Sequence, residues 1–355
     1  MSDVMCYVAK MLGFFSFARS TRRASSMLCS LILWICFVSS GVYMIVYYYG
    51  KNQNVSSKNS MYMKMVFFEV VSKFVVATVG TSVSAAKGQA YFDLLGKFSA
   101  FDELTLGERF PSDGCVQTLY MLLVASVFVH NLSWTLVSVD VPFYVLFAWH
   151  LYCVFTMSTF VQYVNYVRMV RERFKSVNRI FKNSVAENFS LGTERMYPKE
   201  LVNLFVQLRG LTNEVKIYYT YHAMLVIVES VLILITNVTA LTVGYINGMQ
   251  VDNVHLIGHT SMRLLFLFYV VRETHNTKLE ANNTALIGHE ALITTSDITT
   301  TKYLEVIVLN CWNHPIVFDV KDFFDLDYKL LQSIIASVVT YVVVLVQIQL
   351  AVNEI

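Results

Sequence analysis

Seven stretches of about 20 mainly apolar residues recur along this chain, over approximately residues 27–49, 61–86, 119–139, 141–167, 220–245, 254–271 and 328–352. A helix needs about 20 residues to cross the hydrocarbon core of a bilayer. In lipid, only helices and closed barrels satisfy their own backbone groups. The runs therefore predict an all-α, polytopic membrane protein with seven transmembrane helices. Composition agrees: 55% of the 355 residues are hydrophobic and 15% charged, where soluble domains carry about 25% charge to face water. The first run, at about 22 residues, is too long for the core of a cleaved signal peptide and reads as a retained helix.

Lysine and arginine set the expected orientation, because positive residues stay on the cytoplasmic side. With the N-terminus inside, the cytoplasmic segments hold 21 of them and the opposite face only Lys51 and Lys58. The C-terminus then lies outside, the reverse of a G-protein-coupled receptor with the same helix count. The organisation expected is a cytoplasmic N-terminus (1–26), a six-helix ligand-binding bundle with cytoplasmic helical connections (27–271), a cytoplasmic anchor segment (272–327), and a seventh helix with an extracellular tail (328–355). Asn54-Val55-Ser56 is a glycosylation sequon in a predicted outer loop.

Two connections are long. From Arg168 to Lys216, the basic residues Arg168, Arg171, Arg173, Lys175, Arg179 and Lys182 interleave with Val170, Phe174, Val177, Ile180 and Phe181. That spacing suits an amphipathic helix continuing from the fourth span, its basic face solvated near anionic lipid. From Arg272 to Asp327, Leu279, Leu286, Ala291 and Leu292 fall between polar residues in a similar design. Helices in these two segments would extend the bundle below the membrane and are where subunits would meet.

Catalytic chemistry has no foothold. No phosphate-binding, nucleophile-elbow or dinucleotide glycine motif occurs, and His289-Glu290 lacks the second histidine of a zinc protease. The six cysteines are scattered without a C-x-x-C pair, and a net charge of +2 gives no reason to expect nucleic acid. Asp252, His255 and His259 share a spacing that a metal could use, but no further ligand accompanies them, and a polar mouth of the bundle is the simpler reading. No cofactor is expected.

Ionisable residues inside spans are costly and by default functional. Glu69 and Lys73 lie four apart and pair on one helix face. Glu229 and Arg263 sit at comparable depth on successive spans, where they can pair and line a cavity. The outer halves of the third and fourth spans carry His130, Trp134, Tyr144, Trp149 and Tyr152. Aromatic rings with a few polar groups between helices are what a small-molecule pocket requires. His130, Trp134, Tyr144, Trp149, Tyr152, Glu69 and Arg263 are thus the candidate ligand-binding residues.

On the last span, Ser333, Ser337, Thr340, Val344, Gln347 and Ala351 fall on one stripe at 100° per residue. An amide facing lipid would be left unsatisfied, so the stripe faces protein or water. It is either a small-residue packing face or a pore wall. The run Phe323-Phe324-Asp325-Leu326-Asp327-Tyr328-Lys329-Leu330-Leu331-Gln332-Ser333-Ile334, followed by Thr340-Tyr341-Val342-Val343-Val344-Leu345-Val346-Gln347-Ile348, resembles the C-terminal signature of insect gustatory receptors: Thr-Tyr, five hydrophobic residues, then Gln-Phe. Ile348 stands where that family has Phe. Weaker echoes occur at Tyr91-Phe92-Asp93-Leu94-Leu95 with Phe101-Asp102, and at Glu280-Ala281.

The resemblance implies a ligand-gated, non-selective cation channel in the plasma membrane of chemosensory neurons, with small-molecule tastant, permeating cations and membrane lipid as its partners. Assembly would be a homotetramer, or a hetero-oligomer with related receptors, with the seventh helices around a central pore. Gln347 and Ile348 would then occupy the constriction, with Val344 lining the pore and Thr340 and Tyr341 forming the signature pair. The mostly aromatic outer surface favours a bitter plant compound over a sugar as ligand. A G-protein-coupled receptor would want Asp-Arg-Tyr and Asn-Pro-x-x-Tyr, and a transporter internal repeats; none of these is present.

Overall fold

The computed structural model describes residues 23–53, 60–105, 143–186, 198–246, 253–321 and 323–353. They form eight helices and, among the described residues, no strand: α1 (Arg23–Gln53), α2 (Ser60–Ala86), α3 (Gly88–Leu104), α4 (Phe143–Ala186), α5 (Pro198–Ile246), α6 (Asn253–Thr294), α7 (Ile298–Asn313) and α8 (Tyr328–Asn353). Six of the seven expected spans lie on α1, α2, α4, α5, α6 and α8. The span at 119–139 falls outside the described residues, as do Asn54 and Asp252.

Hydropathy and length alone single out three of the described helices as spans, over Lys64–Val83, Pro198–Ile246 and Tyr328–Ala351. The apolar runs of α4 and α6 are interrupted by Gln162 and Asn165, and by His259 and Arg263, all of them buried. Polar residues in a span are tolerated when they face protein rather than lipid, so a hydropathy window undercounts helices that carry an internal polar face.

With 44, 49 and 42 residues, α4, α5 and α6 run for about 66, 74 and 63 Å. That is roughly twice the thickness of the hydrocarbon core. Each helix therefore continues unbroken out of the membrane, as the spacing of Val170, Phe174, Val177 and Phe181 on α4 predicts. These four side chains, with Val167, are fully buried. α5 is the hub, touching α2, α3, α4, α6, α7 and α8. Its hydroxyls Thr212, Thr220, Ser230, Thr236, Thr239 and Thr242 each donate to the carbonyl four residues back, which satisfies them without a solvent partner.

The basic face expected on the α4 extension is solvated only in part. Arg173 is buried and holds Asp102 of α3 through both carboxylate oxygens, at 2.8 and 2.6 Å, while its guanidinium lies 4.6 Å above the Phe98 ring. Arg171 pairs with Glu273 of α6 at 2.8 Å, and Arg168 reaches the same carboxylate at 3.9 Å. Lys175, Arg179 and Lys182 remain exposed. Hydrophobic spacing alone could not reveal the acidic partners, because they come from helices 71 and about 100 residues away.

α6 and α7 form a tight hairpin. Asp297 caps α7, accepting from the Thr299 and Thr300 amides at 3.2 and 2.9 Å and from the Thr300 hydroxyl at 2.6 Å. A β-carbon on Gly288 would lie 2.7 Å from Val308, so the close approach of the two helices requires glycine there. Arg209 of α5 closes the other end of α7 by donating to the carbonyls of Asn310 and His314 at 2.9 and 2.5 Å. On the α6 extension, Ala291 is buried and Leu292 half-buried as the pattern predicts, whereas Leu279 and Leu286 stay exposed on this single chain.

The segment leading to α8 folds back on itself. Val320 donates to the Phe324 carbonyl at 2.9 Å and Leu326 to that of Phe318 at 2.7 Å, with Lys321 in the left-handed region (φ 47°) at the turn. Phe318, Val320 and Leu326 are buried beneath it. Thr274 of α6 donates to the Leu326 carbonyl at 2.7 Å. Asp327 then caps α8, accepting from Lys329 and Leu330 at 2.9 and 3.1 Å.

Candidate functional site

Inside the bundle, polar residues spaced at helical intervals on three spans converge. Glu69 and Lys73 of α2 pair at 2.7 Å, one turn apart and both buried. Glu229 of α5 and Arg263 of α6 pair at 3.2 Å, with neither side chain exposed at all. The two pairs are within electrostatic reach of one another, and the Thr156 hydroxyl of α4 lies against the Glu229 carboxylate. Two anions and two cations make the group neutral, which is what allows it to exist away from water. One turn toward the N-terminus of α6, His259 shares a hydrogen bond of 3.2 Å with Asn237, two turns along α5 from Glu229. Arg263 uses Nη2 on Glu229, leaving Nε and Nη1 without a hydrogen-bond partner among the described residues.

The sequence-derived pairs thus form as expected, and they merge into one centre. Lys73, Glu229, Thr156, Asn237 and His259 belong to it and are not among the expected ligand-binding residues. Their signal was available: polar residues four or eight apart within an apolar run share a helix face. Tyr152 is buried, with its hydroxyl against Ser40 and the Gly41 backbone of α1, so it packs two helices together. The side chains of Tyr144 and Trp149, and all of His130 and Trp134, lie outside the described residues. Among the described residues no group of His, Cys, Asp and Glu could hold a metal ion.

The second feature is the surface of α8. It packs on α5 and α6 through a narrow face on which Ile334, Val338, Val342 and Gln349 are buried, flanked by the half-buried Leu330, Leu331 and Val346. Only 22% of its apolar stretch is buried, against 56% for that of α5, so α8 lies on the flank of the chain. Ser333, Ser337, Thr340, Val344, Gln347 and Ala351 are all exposed, as are Tyr341 and Ile348. The expected pore residues Thr340, Tyr341, Val344, Gln347 and Ile348 therefore share the face that the described residues leave exposed. Gln349, about 200° around the helix from Gln347, is the amide that packs inward.

The described residues thus form an all-helical bundle with a buried ionic centre, long helical extensions and a flank helix bearing an exposed polar stripe. The family model described as 7tm Chemosensory receptor matches residues 3–352, and the chain belongs to that family. Among solved structures, it resembles the insect olfactory receptor OR5 from Machilis hrabei, solved alone (TM-score 0.69) and in complex with eugenol (TM-score 0.68). Each is 13% identical, with 97% of both chains covered, so the likeness establishes the fold. No curated protein matches the sequence.

Proposed function

We propose that this chain is a gustatory receptor acting as a ligand-gated, non-selective cation channel. It assembles as a homotetramer in the plasma membrane of chemosensory neurons, with its N-terminus and helical extensions in the cytoplasm, and opens to a small-molecule tastant. The observation that carries this reading is α8. A membrane-length helix that exposes two serines, a threonine and a glutamine along one stripe needs an aqueous or protein partner that the described residues of its own chain do not provide. Four such helices around an axis supply both, with Ile348 forming an apolar ring that water wets poorly and Gln347 offering amide dipoles once the ring widens.

The buried centre is the anchor for the ligand. Arg263 retains donors directed at nothing within the described chain, so a ligand oxygen arriving there gains a charge-assisted hydrogen bond. A bitter plant compound bearing carbonyl or hydroxyl groups fits aromatic walls with such a centre. A sugar is the second reading, favoured by the carboxylates of Glu69 and Glu229 and the amide of Asn237. A calcium-influx panel of both compound classes on cells expressing this chain alone separates the two.

Ile348→Ser tests the channel. Hydrating the ring should produce current without ligand, and Gln347→Ala should change permeation or gating more than ligand affinity. Whole-cell current, normalised to surface expression, is the measurement. An Ile348→Ser variant as silent at rest as a parent that conducts with ligand would place the constriction elsewhere and leave the stripe as a packing face.

A further inference from the structure

Three sequence-distant segments meet at the end of the bundle from which the helical extensions emerge. Lys87 follows α2 one turn beyond its apolar stretch, which ends at Val83. Tyr221 belongs to the start of the apolar part of α5, and Lys321 is the left-handed residue of the turn that leads to α8. The Lys321 ammonium donates to the Tyr221 hydroxyl and lies 4.0 Å from the centre of that ring. The Lys87 ammonium is 4.9 Å from the same ring centre and donates to the Ile217 carbonyl at 3.2 Å.

Two cations thus flank one partly exposed tyrosine, and neither has a carboxylate partner among the described residues. The nearby Asp319 is occupied by Lys216. Like charges gathered this closely repel unless an anion joins them. Lys87 shows the effect, being held below the ordinary lysine value first by burial, with Tyr221 opposing and the Lys321 charge adding to the depression. A tyrosine between two lysines at the ends of membrane spans sits at headgroup level. There the available anion is lipid phosphate, approached laterally across the exposed Tyr221 ring.

We propose that Lys87, Lys321 and Tyr221 form a binding site for the phosphate of an anionic membrane lipid, with a phosphomonoester headgroup such as a phosphoinositide as the preferred occupant. A doubly charged phosphate neutralises both ammoniums, and the Tyr221 hydroxyl remains beside it as a further polar contact. The site is coupled to α8. Lys321 turns the hairpin whose Leu326 carbonyl is held by Thr274 and whose next residue, Asp327, caps α8. A lipid seated here steadies the base of the helix proposed to line the pore. That consequence rests on the channel reading, whereas lipid binding does not.

The test is native mass spectrometry of the purified full chain in detergent, titrated with a short-chain phosphatidylinositol bisphosphate, with phosphatidylcholine, or with soluble inositol trisphosphate. The parent should bind the phosphoinositide in preference to both others. Lys87→Gln/Lys321→Gln should weaken that binding about 30-fold, taking each lysine as a near-surface charge. Lys182→Gln/Lys302→Gln, which removes the same charge elsewhere, should not. If the first pair loses its monodisperse state, Lys321→Gln alone decides, with about a fivefold loss expected. Equal binding by parent and site variants, equal loss in the control pair, or inositol trisphosphate binding as tightly as the lipid would each overturn the proposal. A channel recording on the same variants then reports whether gating follows occupancy, and silence there with binding intact bears on the channel reading alone.

Discussion

Glu229 and Arg263 offer the sharpest quantitative test of the interior. Their charged atoms are 3.2 Å apart and neither side chain is exposed, so the attraction at an effective dielectric constant near 20 is about 5 kcal/mol. Much of it offsets the loss of hydration, and the pair is not a large net source of stability. Removing one partner is a different matter, because the survivor keeps its desolvation without its counter-charge, at about 3–5 kcal/mol. Glu229→Gln takes the four-residue centre from neutral to +1, and Arg263→Gln takes it to −1. The double change restores neutrality and keeps two amides that can hydrogen bond to each other. Each single variant should therefore melt well below the parent in detergent, followed by fluorescence-detected gel filtration, and the double variant should melt above at least one of the singles. Ligand response separates the roles further, since the double variant should reach the surface yet respond poorly if Arg263 holds the ligand. Singles that melt like the parent, or a double that loses the sum of the two single losses, would refute the coupled-pair reasoning.

Tags at both ends, stained on unpermeabilised cells, should label the C-terminus and not the N-terminus; surface labelling of the N-terminal tag alone would sink the channel reading. Gly41→Ala should lower stability by about 1–3 kcal/mol, because the new β-carbon would sit 2.6 Å from the Tyr152 hydroxyl and closer still to Phe74. A thermal melt equal to the parent's would show that both rings yield freely. The Asp297 carboxyl is held below its ordinary value, chiefly by the Thr300 hydroxyl and then by the Thr300 and Thr299 amides. A depressed value in the folded state means that the cap is fully effective above the unfolded-state value and is lost as pH falls through the folded one. Amide exchange at 299–301 should therefore rise in Asp297→Ala at neutral pH, with the difference from the parent closing in acid.

How far the sequence reached can be judged helix by helix. The 20-residue apolar runs fixed the class, because a bilayer admits few structures and demands a length that can be counted. The heptad-like spacing on α4 foretold a helix that leaves the membrane without a break, and one-turn spacing foretold the Glu69–Lys73 pair, since both are properties of a single helix. Glu229 and Arg263 were matched by depth on successive helices, and the structure joins them. What sequence could not supply was convergence among helices far apart in the chain. Arg173 reads as one more solvated charge until α3 brings Asp102 to it. Lys87 and Lys321 read as unrelated surface lysines until the turn at 318–326 lays one against the ring that already holds the other. The last helix shows the division most plainly. Its periodicity put Gln347 on the polar stripe, but that Gln349 is the amide facing inward was decided by α5 and α6, because helical geometry gives a residue its angle and only packing gives that angle a neighbour.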